Sequence, residues 1–222
     1  MFISFCILLF FSSRSSAQIV SLDPAATELI YELGLDAHLV ARDASSNYPL
    51  KVSKLPIISR HTQVNREALV KIKPEYIIAH DLGFTNIPKN ISVIFLQNKT
   101  LDDYQINIKK IASLYPKSKK FNVESIRRRL KLADKTFVLY LDDSKQMVVG
   151  KDSFITEGLE RCGLTNAIKL KGYPRISRED RFRQKPDYTF ILEKKYGMDP
   201  DLFSRLSRRF FVAINQFCQN LN

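Results

Sequence analysis

Histidine is scarce in this 222-residue chain, with three copies at positions 38, 61 and 80. A zinc or manganese centre needs several imidazole or carboxylate ligands converging on one point, and three scattered histidines supply that poorly. Glycine and proline are also few, at seven and nine. Long disordered linkers are therefore not expected, and no low-complexity tract occurs. Catalytic signatures are missing as well: there is no G-x-S-x-G, H-E-x-x-H, phosphate-binding loop or dinucleotide fingerprint. The adjacent acids Asp102-Asp103 and Asp142-Asp143 read as turn residues rather than a catalytic dyad. The expectation is that the chain is not an enzyme.

What is abundant is positive charge, with a formal net charge of +12. Such a balance suits nucleic acid, an anionic membrane surface or an acidic ligand. The cations are spread along the chain, densest at Arg127–Arg129 and around Arg208-Arg209, and read as solvated faces. No nucleic-acid recognition motif with interleaved aromatics accompanies them, so no nucleic-acid partner is expected.

The amino terminus MFISFCILLFFSSRSSAQ has one apolar run, Phe2 to Phe11, too short to span a bilayer. Small residues follow at Ser15, Ser16 and Ala17, where a signal peptidase cuts. Residues 1–17 are thus expected to be a cleaved signal peptide. No cysteine follows the run to accept a lipid, so a soluble protein in the periplasm is expected. Cys6 would leave with the signal, and Cys162 and Cys218 would remain. In an oxidising compartment those two either pair or stay as separate buried thiols. A bridge would tie down the C-terminal helix, with a chain-entropy gain of roughly 4 kcal/mol at most.

One phrase is written twice. Residues 65–78 read NREALVKIKPEYII and residues 177–190 read SREDRFRQKPDYTF, 112 positions apart. Each begins with a good N-cap, Asn65 or Ser177, and an acid in the first turn. Each then stops its helix before Lys-Pro and enters a strand. A second repeat pairs QIVSLDPAATELIYELGLDA with QMVVGKDSFITEGLERCGLTNA, each read as an apolar strand entering a helix. The extra length of the first half falls in RDASSNYPLKVSKLP, loop-like by composition. The expected architecture is α/β: two small lobes with largely parallel sheets, residues 18–115 and 136–222, joined by one helix over 116–135. A cleft between the lobes is the natural ligand site.

IVSLDPAATELIYELGL, SNYP and NREALVKIKPEYIIA, then GKDSFITEGLERCGLTNAI, GYPRISRE and KPDYTFIL, together resemble the substrate-binding proteins of ABC importers whose lobes are joined by a single helix. That class captures cobalamin, haem and iron–siderophores, and the cobalamin-binding type is the closest in pattern. The resemblance implies a monomer that holds no prosthetic group. It would deliver a cobalamin-like corrinoid to an ABC permease dimer with its ATPase subunits, with haem or a ferric siderophore as the alternative cargo. It implies that Glu67 and Glu179 dock on the permease, and that Cys162 and Cys218 form a disulfide. It also sets His61, in SRHTQ, opposite Tyr173, in KGYPR, across the cleft, with Tyr48 at the same mouth. Aromatic rings there would stack on a flat macrocycle. Arg60 and Arg175 would pair with anionic groups of haem or a siderophore, and His61 and Tyr173 are also residue types that ligate haem iron.

Three features depart from that family's pattern. The chain has no tryptophan, the residue cobalamin binders commonly place in this pocket. The connecting region is shorter than in family members, and the second lobe lacks a final strand segment before the terminal helix.

Overall fold

The computed structural model describes residues 17–80, 82–116, 118–119 and 135–221. The expected signal segment up to residue 16 and most of the expected connecting helix lie outside the described residues. Lys135, assigned to that helix from the sequence, instead opens a strand.

The chain begins with β1 (Ile19–Ser21), every residue of which is buried. It turns at Asp23, whose side chain accepts the Ala26 N–H and caps α1 (Pro24–Glu32), with Pro24 pre-set for the first turn. There follow β2 (Leu39–Asp43), β3 (Ile57–Arg60), β4 (Gln63–Val64), α2 (Arg66–Ile72), β5 (Tyr76–His80), β6 (Ser92–Leu96) and α3 (Asp103–Leu114). The strands form one sheet in the order β4-β3-β2-β1-β5-β6. All neighbours run parallel except the β3–β4 pair.

The second half comprises β7 (Lys135–Tyr140), α4 (Phe154–Arg161), β8 (Leu164–Asn166), α5 (Arg178–Gln184), β9 (Tyr188–Ile191), α6 (Pro200–Phe203) and α7 (Arg208–Asn220). Its sheet is parallel, in the order β8-β7-β9. This matches the centre of the first sheet, β2-β1-β5, strand for strand. In both halves the strand after the first helix lies on one side, and the strand after the repeated helix lies on the other.

The repeated helices form as their sequences dictate. Asn65 caps α2 by accepting the Ala68 N–H, and Ser177 caps α5 in a reciprocal box with Asp180. Each helix ends at a lysine in the left-handed conformation, Lys73 or Lys185, directly before proline.

Two expectations need correction. The stretch QMVVG, the counterpart of β1 in the sequence repeat, is not a strand of the second sheet; β7 fills that place. Val148 and Val149 are buried, but the segment bridges back antiparallel onto the end of β7 and on its other side bonds to residues 170–176. And RDASSNYPLKVSKLP is not loop throughout: Arg42 and Asp43 end β2 and are buried, because they anchor the turn that follows.

One apolar core runs through both halves, from Ile19, Leu29 and Tyr104 to Phe137, Phe154, Phe210 and Ile214. Gly158 on α4 allows α7 to approach, since a Cβ there would lie 2.9 Å from the Phe210 ring. Cys162 and Cys218 are joined in a disulfide, with Cα atoms 5.8 Å apart, fastening the end of α4 to α7. Polar contacts fasten the same C-terminal segment to the first half. Glu28 on α1, 2% exposed, accepts from Arg205 (3.2 Å), Arg209 (2.9 Å) and the Ser207 hydroxyl (2.6 Å).

Candidate functional site

In open parallel sheets, ligands bind beyond the carboxyl ends of the strands. In the first half the segments leaving β1, β2, β3 and β5 bring Asp23, Tyr48, His61 and His80 to that edge. In the second half the segment leaving β8 brings Tyr173 and Arg175 to the corresponding edge. The sequence-expected residues Tyr48, His61, Tyr173 and Arg175 therefore stand beyond the carboxyl ends of the strands of their sheets.

Tyr48 stands in a turn built by the buried end of β2. The Asp43 carboxylate accepts the Ser45 N–H at 2.7 Å and the Ser46 hydroxyl, while the Arg42 guanidinium donates to the Ser46 carbonyl at 2.8 Å. The Tyr48 ring is 45% exposed, and the Arg209 guanidinium lies 3.9 Å from its centroid. This cation–π contact holds one ring face. Tyr48 lines a pocket of about 460 Å³ with Glu32, Leu202, Arg208, Arg209 and Val212.

SRHTQ is a tight hairpin. Ser59 and Arg60 belong to β3, Gln63 belongs to β4, and His61 sits at the tip with φ of 52°. Its imidazole is exposed. Arg60 lines a separate pocket of about 360 Å³ with Ile57, Gln63, Asn65 and Asn86.

Tyr173 is 48% exposed, on a segment held by backbone bonds to QMVVG. Val148 N–H donates to the Pro174 carbonyl at 3.0 Å, Gly150 N–H to that of Gly172 at 2.8 Å, and Ile176 N–H to that of Gln146 at 2.9 Å. Gly150 permits this approach, because a Cβ there would fall 2.4 Å from the Leu170 carbonyl oxygen. Arg175 is exposed and bridges to Met147. His61 and Tyr173 make no side-chain contact with each other, and neither has a side-chain partner among the described residues. Tyr48 and Arg60 lie in different pockets.

Glu67 and Glu179 lie in the first turns of α2 and α5. Both are exposed, and neither has a hydrogen bond or ion pair among the described residues.

Sequence reasoning missed one pair at this edge. His80 Nδ1 lies 2.7 Å from the Asp23 carboxylate, with the Asn98 amide 3.3 Å away. Burial works to lower the His80 pKa, but the Asp23 hydrogen bond and charge outweigh it and raise it on balance. No sequence motif surrounds His80, since its partner is 57 residues away. The signal available was positional: Asp23 follows β1 and His80 ends the adjacent β5, with Ser21 registered on Ile78. Arg209 was likewise read as part of a solvated basic face, whereas it covers Tyr48 and binds Glu28.

A family profile described as periplasmic binding protein matches residues 19–205. The chain belongs to the periplasmic binding protein family. The vitamin B12-binding protein of Vibrio vulnificus is 25% identical over 263 aligned positions, covering 98% of this chain and 96% of the relative. Among solved structures, the periplasmic vitamin B12 binding protein of Vibrio cholerae superposes with a TM-score of 0.69 at 21% identity, over 92% of this chain and 96% of the other. A periplasmic haem-binding protein of Roseiflexus superposes with a TM-score of 0.68 at 18% identity, over 92% and 97%. This periplasmic binding protein thus shares the two-lobed, mostly parallel α/β fold of both. Among its described residues no helix is long and apolar enough to cross a membrane.

Proposed function

We propose that this protein captures a cobalamin-like corrinoid in the periplasm and delivers it to an ABC importer. The observation that carries this reading is the near end-to-end match to relatives named as vitamin B12-binding proteins. The exposed rings of Tyr48 and Tyr173 at the binding edges suit a flat macrocycle. Residues 1–17 serve as the export signal, and the lobes are 18–115 and 136–222 with 116–135 between them. The mature protein is a monomer without a resident cofactor. Glu67 and Glu179, exposed and unpaired at equivalent positions of the repeat, suit a partner with two-fold symmetry such as a permease dimer with its ATPase subunits.

Haem, or a ferric siderophore, is the second reading. His61 and Tyr173 are exposed without side-chain partners among the described residues, and Arg60 and Arg175 supply cations beside them for propionates or siderophore carboxylates.

The deciding experiment titrates the purified protein with cyanocobalamin and with haemin, read by absorption. A stoichiometric corrinoid complex, weakened about tenfold by Tyr48→Ala or Tyr173→Ala, is the expected result. A Soret shift that disappears in His61→Ala, without corrinoid binding, would establish haem instead. Binding of neither, nor of a ferric siderophore, would sink the ligand assignment.

A further inference from the structure

Val70 and Phe182 occupy the same position of the repeat, 112 residues apart, on α2 and α5. They are 52% and 70% exposed. A single exposed apolar side chain on a protein surface needs no explanation. Two at one repeat position are a different matter, since the halves have otherwise diverged in strand number and loop length. Each lies three residues after an exposed glutamate, Glu67 or Glu179, and so on the same helix face one turn further on. The arginine that precedes each glutamate also repeats, as Arg66 and Arg178. In α5 the Arg178 guanidinium lies over the Phe182 ring, 5.9 Å from its centroid.

The charge around these faces is informative. The chain carries 35 Lys and Arg against 23 Asp and Glu, yet neither Glu67 nor Glu179 has a cationic partner among the described residues. Asp180, beside Glu179, is spent on the Ser177 cap. Topology places the two faces alike. Both helices follow a segment at the carboxyl edge of their sheet and run back toward the next parallel strand. Their first turns therefore begin at the binding edge of each half.

We propose that each half presents a composite docking face, a free carboxylate plus an apolar knob: Glu67 with Val70, and Glu179 with Phe182. The partner is a pair of equivalent membrane-protein subunits, each offering a cation beside an apolar depression. This rests on the docking role proposed above for the two glutamates, and adds to it the contact that excludes water from the ion pair. Exposed ion pairs contribute little in water because solvent screens them; an apolar rim that removes solvent strengthens the same pair. The two knobs differ in size, valine against phenylalanine, so a symmetric partner would meet the two lobes unequally.

The test measures docking of the full-length mature protein on proteoliposomes carrying cobalamin-importer or haem-importer permease–ATPase complexes. Three variants are compared: V70S/F182S, E67R/E179R, and I106S as an exposed apolar control on α3. Cargo affinity in solution reports that each variant is folded. The expected result is a tenfold or greater loss of docking affinity in V70S/F182S, with cargo affinity within twofold of the unmodified protein and I106S unaffected. If E67R/E179R loses docking while V70S/F182S does not, the face works by charge alone and the inference fails while the docking role stands. If only V70S/F182S loses docking, the knobs are supported and the glutamate role falls. If both variants dock normally, or the unmodified protein docks on neither complex, both ideas are overturned.

Discussion

His80 Nδ1 and an Asp23 carboxylate oxygen lie 2.7 Å apart, although 57 residues separate them in the chain. Asp23 serves two elements at once, because its other oxygen accepts the Ala26 N–H at the start of α1. The contact therefore couples the ends of β1 and β5 to a helix cap at the binding edge of the first sheet. His80 Nε2 is buried without a partner among the described residues, so the Asp23 contact is what orients the ring.

Asp23→Asn is expected to lower the His80 pKa, as followed by proton NMR of the imidazole. Burial alone would depress the imidazolium, and it is the carboxylate that reverses this. The folded-state pKa is raised, so the associated stability is fully present below about pH 6.5. It is lost as pH rises through the folded pKa. Asp23→Ala should cost a further ~1 kcal/mol through the lost N-cap, measured by urea unfolding at pH 8, where His80 is less charged. An unchanged His80 titration in Asp23→Asn would show that the contact does not set its charge.

Glu32 titrates near neutrality. Burial raises its carboxyl to about 7, with nearby Glu28 adding to the rise, against the lowering effect of hydrogen bonds from the Tyr104 hydroxyl and the Arg208 N–H. For an acid whose folded pKa is raised, stability is fully present below the unfolded value near 4.5 and declines as pH climbs through about 7. The decline is on the order of 3 kcal/mol. Glu32→Gln should remove that slope, so the stability difference between variant and unmodified protein should narrow or reverse from pH 5 to pH 8. Parallel stability–pH curves for the two proteins would contradict the assignment.

Glu28 holds two guanidinium groups and a hydroxyl, with Glu28 and Arg205 buried and Arg209 partly exposed. Removing Glu28 takes a carboxylate from Arg209 and leaves Arg205 with Asp201 as its remaining acid, at a cost of ~3 kcal/mol, the low end for breaking a buried pair. Glu28→Ala is therefore expected to lower the urea midpoint sharply. It should also free Arg209 from its place over Tyr48, which an increased rate of Tyr48 modification would report. A loss below 1 kcal/mol would mean that the C-terminal segment is held by its apolar packing and the disulfide alone.

The repeat was legible because local rules write it. N-caps at Asn65 and Ser177, first-turn acids and Lys-Pro stops act over a few residues, and the structure places α2, α5, β5 and β9 there. QMVVG misled because an apolar run states that it will be buried, not against what. It turns back onto the end of β7, and its second partner, the Tyr173 segment, lies more than twenty residues on, identified by the backbone bonds between them. The SRHTQ hairpin was not legible either: a two-residue turn without glycine leaves little signal, since His61 itself adopts the left-handed conformation.

The amino-acid sequence by itself determined the α/β class, the two related halves, the helix caps and the pattern of apolar faces, since each follows from spacing and short-range sterics. The tertiary structure alone decided that Asp23 meets His80, that Arg209 covers Tyr48 rather than facing solvent, and that Glu28 binds the C-terminal segment. These are charge pairings between distant segments. Which cation a buried carboxylate finds depends on how the two halves pack, and in a chain with 35 basic side chains no local rule selects among them.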